Sequence, residues 1–200
     1  VKYRVSANPA LGYHYPVPQM DVRRAIRTMR SMSTKWAVDA GRIGVLGFSA
    51  GGHLCSTAVT MFDDTFKQET QDPIDMLSCR PNFGILCYPV IAMGQPYCHG
   101  GSVRNLLGEA PSQELLDRNN TALRVTSRTP PIFLVHSADD RAVSLRNGTE
   151  FVAACAEKGV PVTCHIYAKG GHGYGLGRAG ESQNWPARLE DWMRSHGWME

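Results

Sequence analysis

The chain has 200 residues, 42% of them hydrophobic and 20% charged, with a formal net charge of +3 at pH 7. That length holds one domain with a core of its own, so residues 1–200 are read as a single unit needing no disulfide or metal staple, and no apolar run approaches the ~18 residues of a membrane span. The small net charge argues against nucleic acid or a membrane surface as a partner and leaves the charge of a substrate open.

In chain order, residues 2–5 (KYRV) are a short candidate strand. Val22, Ala25, Ile26, Met29 and Met32 then recur at helical spacing, while Arg23, Arg24, Arg27 and Arg30 fill the other face and are expected to be solvated. Residues 42–48 (RIGVLGF), 82–88 (NFGILCY), 131–136 (PIFLVH) and 162–167 (VTCHIY) are short apolar runs bounded by Gly, Pro or polar turns, as buried strands are. Residues 145–158 read as a helix stopped by Gly159, and residues 185–196 as a tail helix with Trp185, Leu189, Trp192 and Met193 on one face. Residues 62–80 and 90–128, rich in Pro, Gly, Asn and Asp, are expected to be connections containing short helices. This alternation predicts an α/β fold with a mostly parallel sheet flanked by helices.

Gly47-Phe48-Ser49-Ala50-Gly51 fits G-x-S-x-G directly after a strand and before the apolar segment 53–61, the place where that motif has a mechanical meaning. The turn strains the serine backbone, and Gly47 and Gly51 are expected to remove side chains that would collide, with Gly52 loosening the corner further. A serine hydroxyl needs a histidine base and a carboxylate to orient it. Strand 131–136 runs into Asp139-Asp140, and strand 162–167 into Gly170-Gly171-His172-Gly173, so the acid and the base follow successive strands. Asp140 is preferred to Asp139 because it opens D-x-x-V, whose Val143 can anchor the loop while the carboxylate turns inward. His172 is preferred because glycines flank it. The Ala50 N–H, at a helix N-terminus, is the expected oxyanion donor.

The remaining histidines are read structurally: His53 as a cap or core residue, His136 and His165 in strands, His14, His99 and His196 in loops or the tail. His99, in the loop 97–101, is also a candidate substrate contact. Gly175, Gly177 and Gly180 match G-x-G-x-x-G, but a dinucleotide unit needs a further strand and an acidic residue ~20 positions on, which this chain does not offer. No H-E-x-x-H or other ligand spacing predicts a metal. The six cysteines (55, 79, 87, 98, 155, 164) lack a C-x-x-C pair and are expected as buried free thiols. Residue 1 is Val with no leader-like segment after it, so the true start is expected upstream or processed away, and both cytoplasmic and exported locations stay open.

Lys2-Tyr3-Arg4, Asp21 with Arg24-Ala25-Ile26, RIGVLGFSAGGHL, PPIFLVH with Asp139-Asp140, KGGHGYGLG and Trp185-Pro186 with Trp192 together resemble the acetyl-xylan-esterase-like and acetyl-esterase branch of the α/β-hydrolase superfamily. The resemblance implies a catalytic triad of Ser49, Asp140 and His172, and hydrolysis of short acyl esters, often acetyl groups on sugars, without a cofactor. The implied partner is a small-molecule or carbohydrate ester; a second copy of the chain is a further open partner. Relatives carry a glycine-rich H-G-G-G loop ahead of the segment matching Val1, supplying further oxyanion N–H groups. This sequence shows no such loop or strand. KYRV pairing directly with the serine strand, another subunit filling the gap, and the sequence being a piece of a longer protein are the three open repairs, and the loop 12–15, with Tyr13 as a candidate substrate contact, is a candidate substitute donor. A serine peptidase of the prolyl-oligopeptidase type and a non-catalytic hydrolase-fold binding module or fragment remain the alternatives.

Overall fold

The four apolar runs form one parallel sheet in the order β1-β2-β3-β4, with β1 at Gly44–Phe48, β2 at Phe83–Cys87, β3 at Ile132–Ser137 and β4 at Val162–Tyr167. The structure is a computed structural model that describes residues 1–5, 12–66, 72–177 and 180–200. Strand β1 begins two residues later than its apolar run because the Ile43 N–H bonds the Asn82 side chain (3.1 Å) instead of a ladder carbonyl. Helices α1 (Val17–Ser31) and α2 (Ser33–Trp36) precede β1, and α3 (Ala50–Thr60) follows it. Helices α4 (Gly100–Leu107) and α5 (Gln113–Asn119) lie between β2 and β3, α6 (Arg146–Glu157) between β3 and β4, and α7 (Trp185–Ser195) after β4.

Alternation along the strands divides the core between two faces. Leu86 and Leu134 pack with Cys55 and Val59 of α3 and Phe151 and Cys155 of α6. Phe133 and Val135 point the other way, onto Trp185 and Trp192 of α7. Strand β3 is therefore sealed on both sides, with Ile132 through Val135 all fully buried, each large apolar side chain contributing about 1.5–3 kcal/mol. The cysteines among the described residues are all free, four of them buried and Cys98 and Cys164 half-buried. Among the described residues no helix is long and apolar enough to cross a membrane.

Two expectations are corrected. Residues 2–5 form no strand: the Arg4 N–H donates to Asp21 Oδ2 of α1 (2.7 Å) and its guanidinium forks onto the same carboxylate (2.6 Å), so the backbone donor a ladder would use is already taken. Among the described residues β1 has no strand on its outer side. The arginine face of α1 is not simply solvated either, since two of its four arginines are buried and the other two half-buried. Arg23 and Arg27 are buried, bonding the carbonyls of Met61 (3.1 Å) and Leu77 (3.0 Å), Arg24 grips Asp72 and Asp75, and Arg30 reaches the carbonyls of Ser78 and Arg80. They hold the connection to β2, of which residues 67–71 lie outside the described set, against the helix.

The corner between β1 and α3 depends on two glycines. A Cβ at Gly47 would stand 2.1 Å from the Gly51 carbonyl oxygen and 2.7 Å from Cys55 Sγ, and one at Gly52 would stand 2.8 Å from Pro89 Cβ. At Gly51 it would meet only Tyr3 Oη at 4.0 Å, so Gly52, not Gly51, is the second required glycine. In urea unfolding, Gly47→Ala is expected to lose about 1–3 kcal/mol or more through overpacking against backbone. Gly51→Ala, in the first turn of α3, should be neutral or gain up to about 1 kcal/mol; equal losses in both would contradict this geometry.

Candidate active site

All four strands run the same way, so their carboxyl ends open on one edge of the sheet, where the loops that follow can converge. Ser49 occupies the first of these ends with φ 54° and ψ −117°, a conformation costing a non-glycine residue about 1–3 kcal/mol. Three bonds hold it there: its N–H donates to the Cys87 carbonyl (2.9 Å), and its carbonyl accepts from Val90 and His53 (both 3.1 Å). The side chain is thereby set at the N-terminus of α3, where the Ala50 N–H, in the first turn, has no acceptor within the helix.

The ends of β3 and β4 supply the other two groups. His172 Nε2 lies 2.8 Å from Ser49 Oγ, and its Nδ1 lies 2.7 Å from Asp140 Oδ2. The serine hydroxyl donates to Nε2 and Nδ1–H donates to the carboxylate, the only proton placement that satisfies both contacts with a neutral ring and an ionised acid. Asp140 Oδ1 accepts from the N–H groups of Ala142 and Val143 (both 2.9 Å), and Val143 is buried against Val90 and Met93, so the D-x-x-V loop works as its spacing suggested. Burial works against the charge of Asp140, but its contacts with His136, Val143 N–H, His172 and Ala142 N–H outweigh it and hold the carboxyl at about 2.

Asp139, the competing acid, turns to a different task. Its Oδ1 accepts from the N–H groups of Gly170 (3.0 Å) and Gly171 (2.8 Å), tying the histidine loop to the aspartate loop. Gly171, Gly173 and Gly175 have φ of 63°, 73° and 55°, so this loop needs its glycines for backbone conformation. The G-x-G-x-x-G glycines belong to the same loop and its continuation toward α7; residues 178 and 179 lie outside the described set. Sequence reasoning missed Tyr88, which follows β2 at φ 37°. Its ring packs edge-on against His172 with centroids 4.9 Å apart, and its Oη accepts from Gly175 N–H (3.0 Å). Its only signal was its place at the end of a strand.

A small, half-open cavity of about 80 Å³ lies beside Ala50, and Tyr3, Tyr13, His53, Leu54, Met93 and Leu106 are among its walls. Tyr13 thus shares a cavity with Ala50, whose lining does not include Ser49, Asp140 or His172. His99 is not among the lining residues; its Nδ1 caps α4 by accepting from Ser102 N–H (3.2 Å). His53 is a core residue whose Nε2 pairs with the Asn119 carbonyl (2.9 Å), and burial, only partly offset by that bond, pushes it down to about 4. In the loop 12–15 the Tyr15 N–H already donates to the Leu106 carbonyl (2.7 Å), which removes it as an oxyanion donor. Among the described residues no group of three or more His, Cys, Asp or Glu side chains is placed to hold a metal ion.

The depressed pKa of Asp140 is also a stability statement. A folded value below the unfolded one adds stability that is complete above about pH 5 and is lost as pH falls toward 2, here on the order of 2 kcal/mol. Asp140→Asn should therefore be less stable than the native chain by about that amount at pH 7, with the gap closing as the pH of urea unfolding is lowered from about 4 toward 2. A gap independent of pH would contradict this electrostatic assignment.

Three comparisons bear on this geometry. The chain is similar to endo-1,4-beta-xylanase B of Butyrivibrio fibrisolvens (36% identical over 156 residues, 78% of this chain and 24% of that protein). It is also similar to an acetylxylan esterase of Xylanibacter ruminicola (34% over 165 residues, 80% of this chain and 32% of that protein). The crystal structure of an acetyl ester-xyloside bifunctional hydrolase from Caldicellulosiruptor lactoaceticus superposes with a TM-score of 0.91 at 42% identity, covering 100% of this chain and 71% of that one. The chain spans 24% and 32% of the lengths of the two curated relatives. The BD-FAE family model matches residues 1–154, and with the parallel sheet and these relatives it follows that the chain belongs to the BD-FAE family, in the acetylxylan-esterase-like branch of the α/β-hydrolases.

Proposed function

We propose that this chain carries the catalytic centre of a serine esterase that removes short acyl groups, acetyl above all, from carbohydrate esters. The observation that carries the proposal is the unbroken series Ser49 Oγ, His172 Nε2, His172 Nδ1 and Asp140 Oδ2, with links of 2.8 and 2.7 Å. His172 takes the hydroxyl proton as Ser49 Oγ attacks the ester carbonyl carbon, and Asp140 stabilises the imidazolium that forms. The carbonyl oxygen becomes an oxyanion facing the Ala50 N–H at the positive end of α3. Collapse of that intermediate breaks the bond to the alcohol, which leaves with the proton from Nε2. Water, deprotonated by the same nitrogen, then attacks the acyl-enzyme; the acid is released and Ser49 regains its proton.

The sugar-ester assignment is supported by what the relatives are called, an acetylxylan esterase and an acetyl ester-xyloside hydrolase. The cavity beside Ala50 supports a small, partly polar substrate, since Tyr3, Tyr13, Ser102 and Asn105 place hydrogen-bonding groups among its apolar walls.

Hydrolysis of p-nitrophenyl acetate by the native chain and by Ser49→Ala, both confirmed folded by circular dichroism, tests the proposal. The variant should lose about 10⁴-fold or more in kcat/KM, and acetylated xylosides should be turned over while aminoacyl p-nitroanilides are not. Equal rates near background in both proteins would favour a binding module on the hydrolase fold, and turnover of the amides a peptidase.

A further inference from the structure

Asp140 faces a second histidine. His136, the next-to-last residue of β3, has its side chain fully buried, and its Nε2 lies 3.0 Å from the Val143 carbonyl oxygen and 3.3 Å from Asp140 Oδ2. A carbonyl only accepts, so Nε2 carries the proton, with the carbonyl as its primary partner and the carboxylate as the secondary one. Oδ2 is the same oxygen that receives His172 Nδ1–H. The Asp140 carboxylate is thus surrounded by four N–H groups, two from backbone on Oδ1 and two from imidazoles around Oδ2.

We infer that His136 is a positioning residue of the site, its buried Nε2–H fixing which side of Oδ2 is presented to His172 and restraining the pull of Asp140 on the His172 proton. The inference rests on the esterase reading for its catalytic consequence, not for its geometry. An ordinary core residue would not be built this way. His136 Nδ1 has no hydrogen-bond partner, and burying an unpaired ring nitrogen carries a desolvation cost that leucine or phenylalanine would avoid. The surrounding structure also makes room for the ring: a Cβ at Gly148 of α6 would stand 3.0 Å from Nδ1 and 3.2 Å from Leu134 Cδ2, so that helix comes close to the imidazole only because position 148 is glycine. Of the titratable and charged groups beside the pair, His172, with Tyr88 packed on it, lies against Asp140, and Asp139 and Arg141 flank Asp140 in the chain, while α6 brings Gly148 to the ring.

Without the His136 donor, the Asp140 carboxylate keeps more of its charge for His172, and the imidazolium of His172 becomes easier to form. The test compares the native chain, His136→Phe, which keeps an aromatic ring without the donor, and His136→Gln, whose amide N–H restores one. Two readouts are taken: the acid limb of the pH profile of kcat/KM for p-nitrophenyl acetate, and the midpoint of the His172 ring titration by NMR, which needs no turnover. In His136→Phe both midpoints should rise by roughly half to one pH unit, and kcat/KM should fall about tenfold; His136→Gln should return both toward the native values. Unchanged midpoints in a folded His136→Phe, or equal effects in both variants, would overturn the inference and leave His136 as packing. Should native turnover be absent, the esterase reading fails while the ring titration still decides the role of His136. Should His136→Phe not fold, nitrogen-15 histidine spectra of the native chain decide: a proton on Nε2 of His136 supports the arrangement, and a proton on Nδ1 with a bare Nε2 overturns it.

Discussion

The strand-to-helix corner at Ser49 constrains everything around it. A serine at φ 54° and ψ −117° is held against its own preference, and the restraint comes from the neighbouring strand end: Cys87 accepts the Ser49 N–H and Val90 donates to its carbonyl. The same stretch places Tyr88 against His172 and Pro89 against Gly52. One short loop after β2 therefore stabilises the strained serine, seats the start of α3 and backs the imidazole. Loosening it would move the hydroxyl and the base together, which is why the corner tolerates so little beside Gly47 and Gly52.

A sheet in simple 1-2-3-4 order brings three loops to that corner. Asp140 arrives from β3 and His172 from β4, and Asp139 and Glu181 anchor the histidine loop by accepting backbone N–H groups from residues 168–171. Adjacent aspartates thus do separate work: one faces inward with its side chain fully covered, the other faces outward and staples two loops. His136 adds a layer beneath the inward one. A carboxylate held at about 2 stays charged across the whole neutral range, as the stabiliser of a transient imidazolium must.

Much of this was legible in the residues. The four strands, the tail helix and the order of Ser49, Asp140 and His172 follow from patterns whose causes are local: apolar runs, glycine-flanked turns and a nucleophile motif between strand and helix. What failed depended on partners that a pattern does not name. KYRV alternates like a strand, yet a strand exists only where a ladder accepts its amides, and Asp21 claims that of Arg4. The arginines of α1 read as a solvated face because the segment covering them is irregular and its carbonyls carry no signature. The motif names Gly51, yet the packing constraint falls on Gly52, because Pro89 stands against position 52 and nothing crowds position 51. Tyr88 and His136 sit at strand ends among other apolar residues, and their relation to the site is purely spatial.

The central claim is that Ser49 is an activated nucleophile and that His172 activates it. The most direct measurement is labelling of the folded chain with a fluorophosphonate, followed by intact mass and peptide mapping, beside a folded His172→Ala variant. One adduct per chain on the Ser49 peptide, absent or greatly slowed in the variant, is the predicted result. No adduct on the folded native chain, an adduct on a different residue, or labelling indifferent to His172 would contradict it.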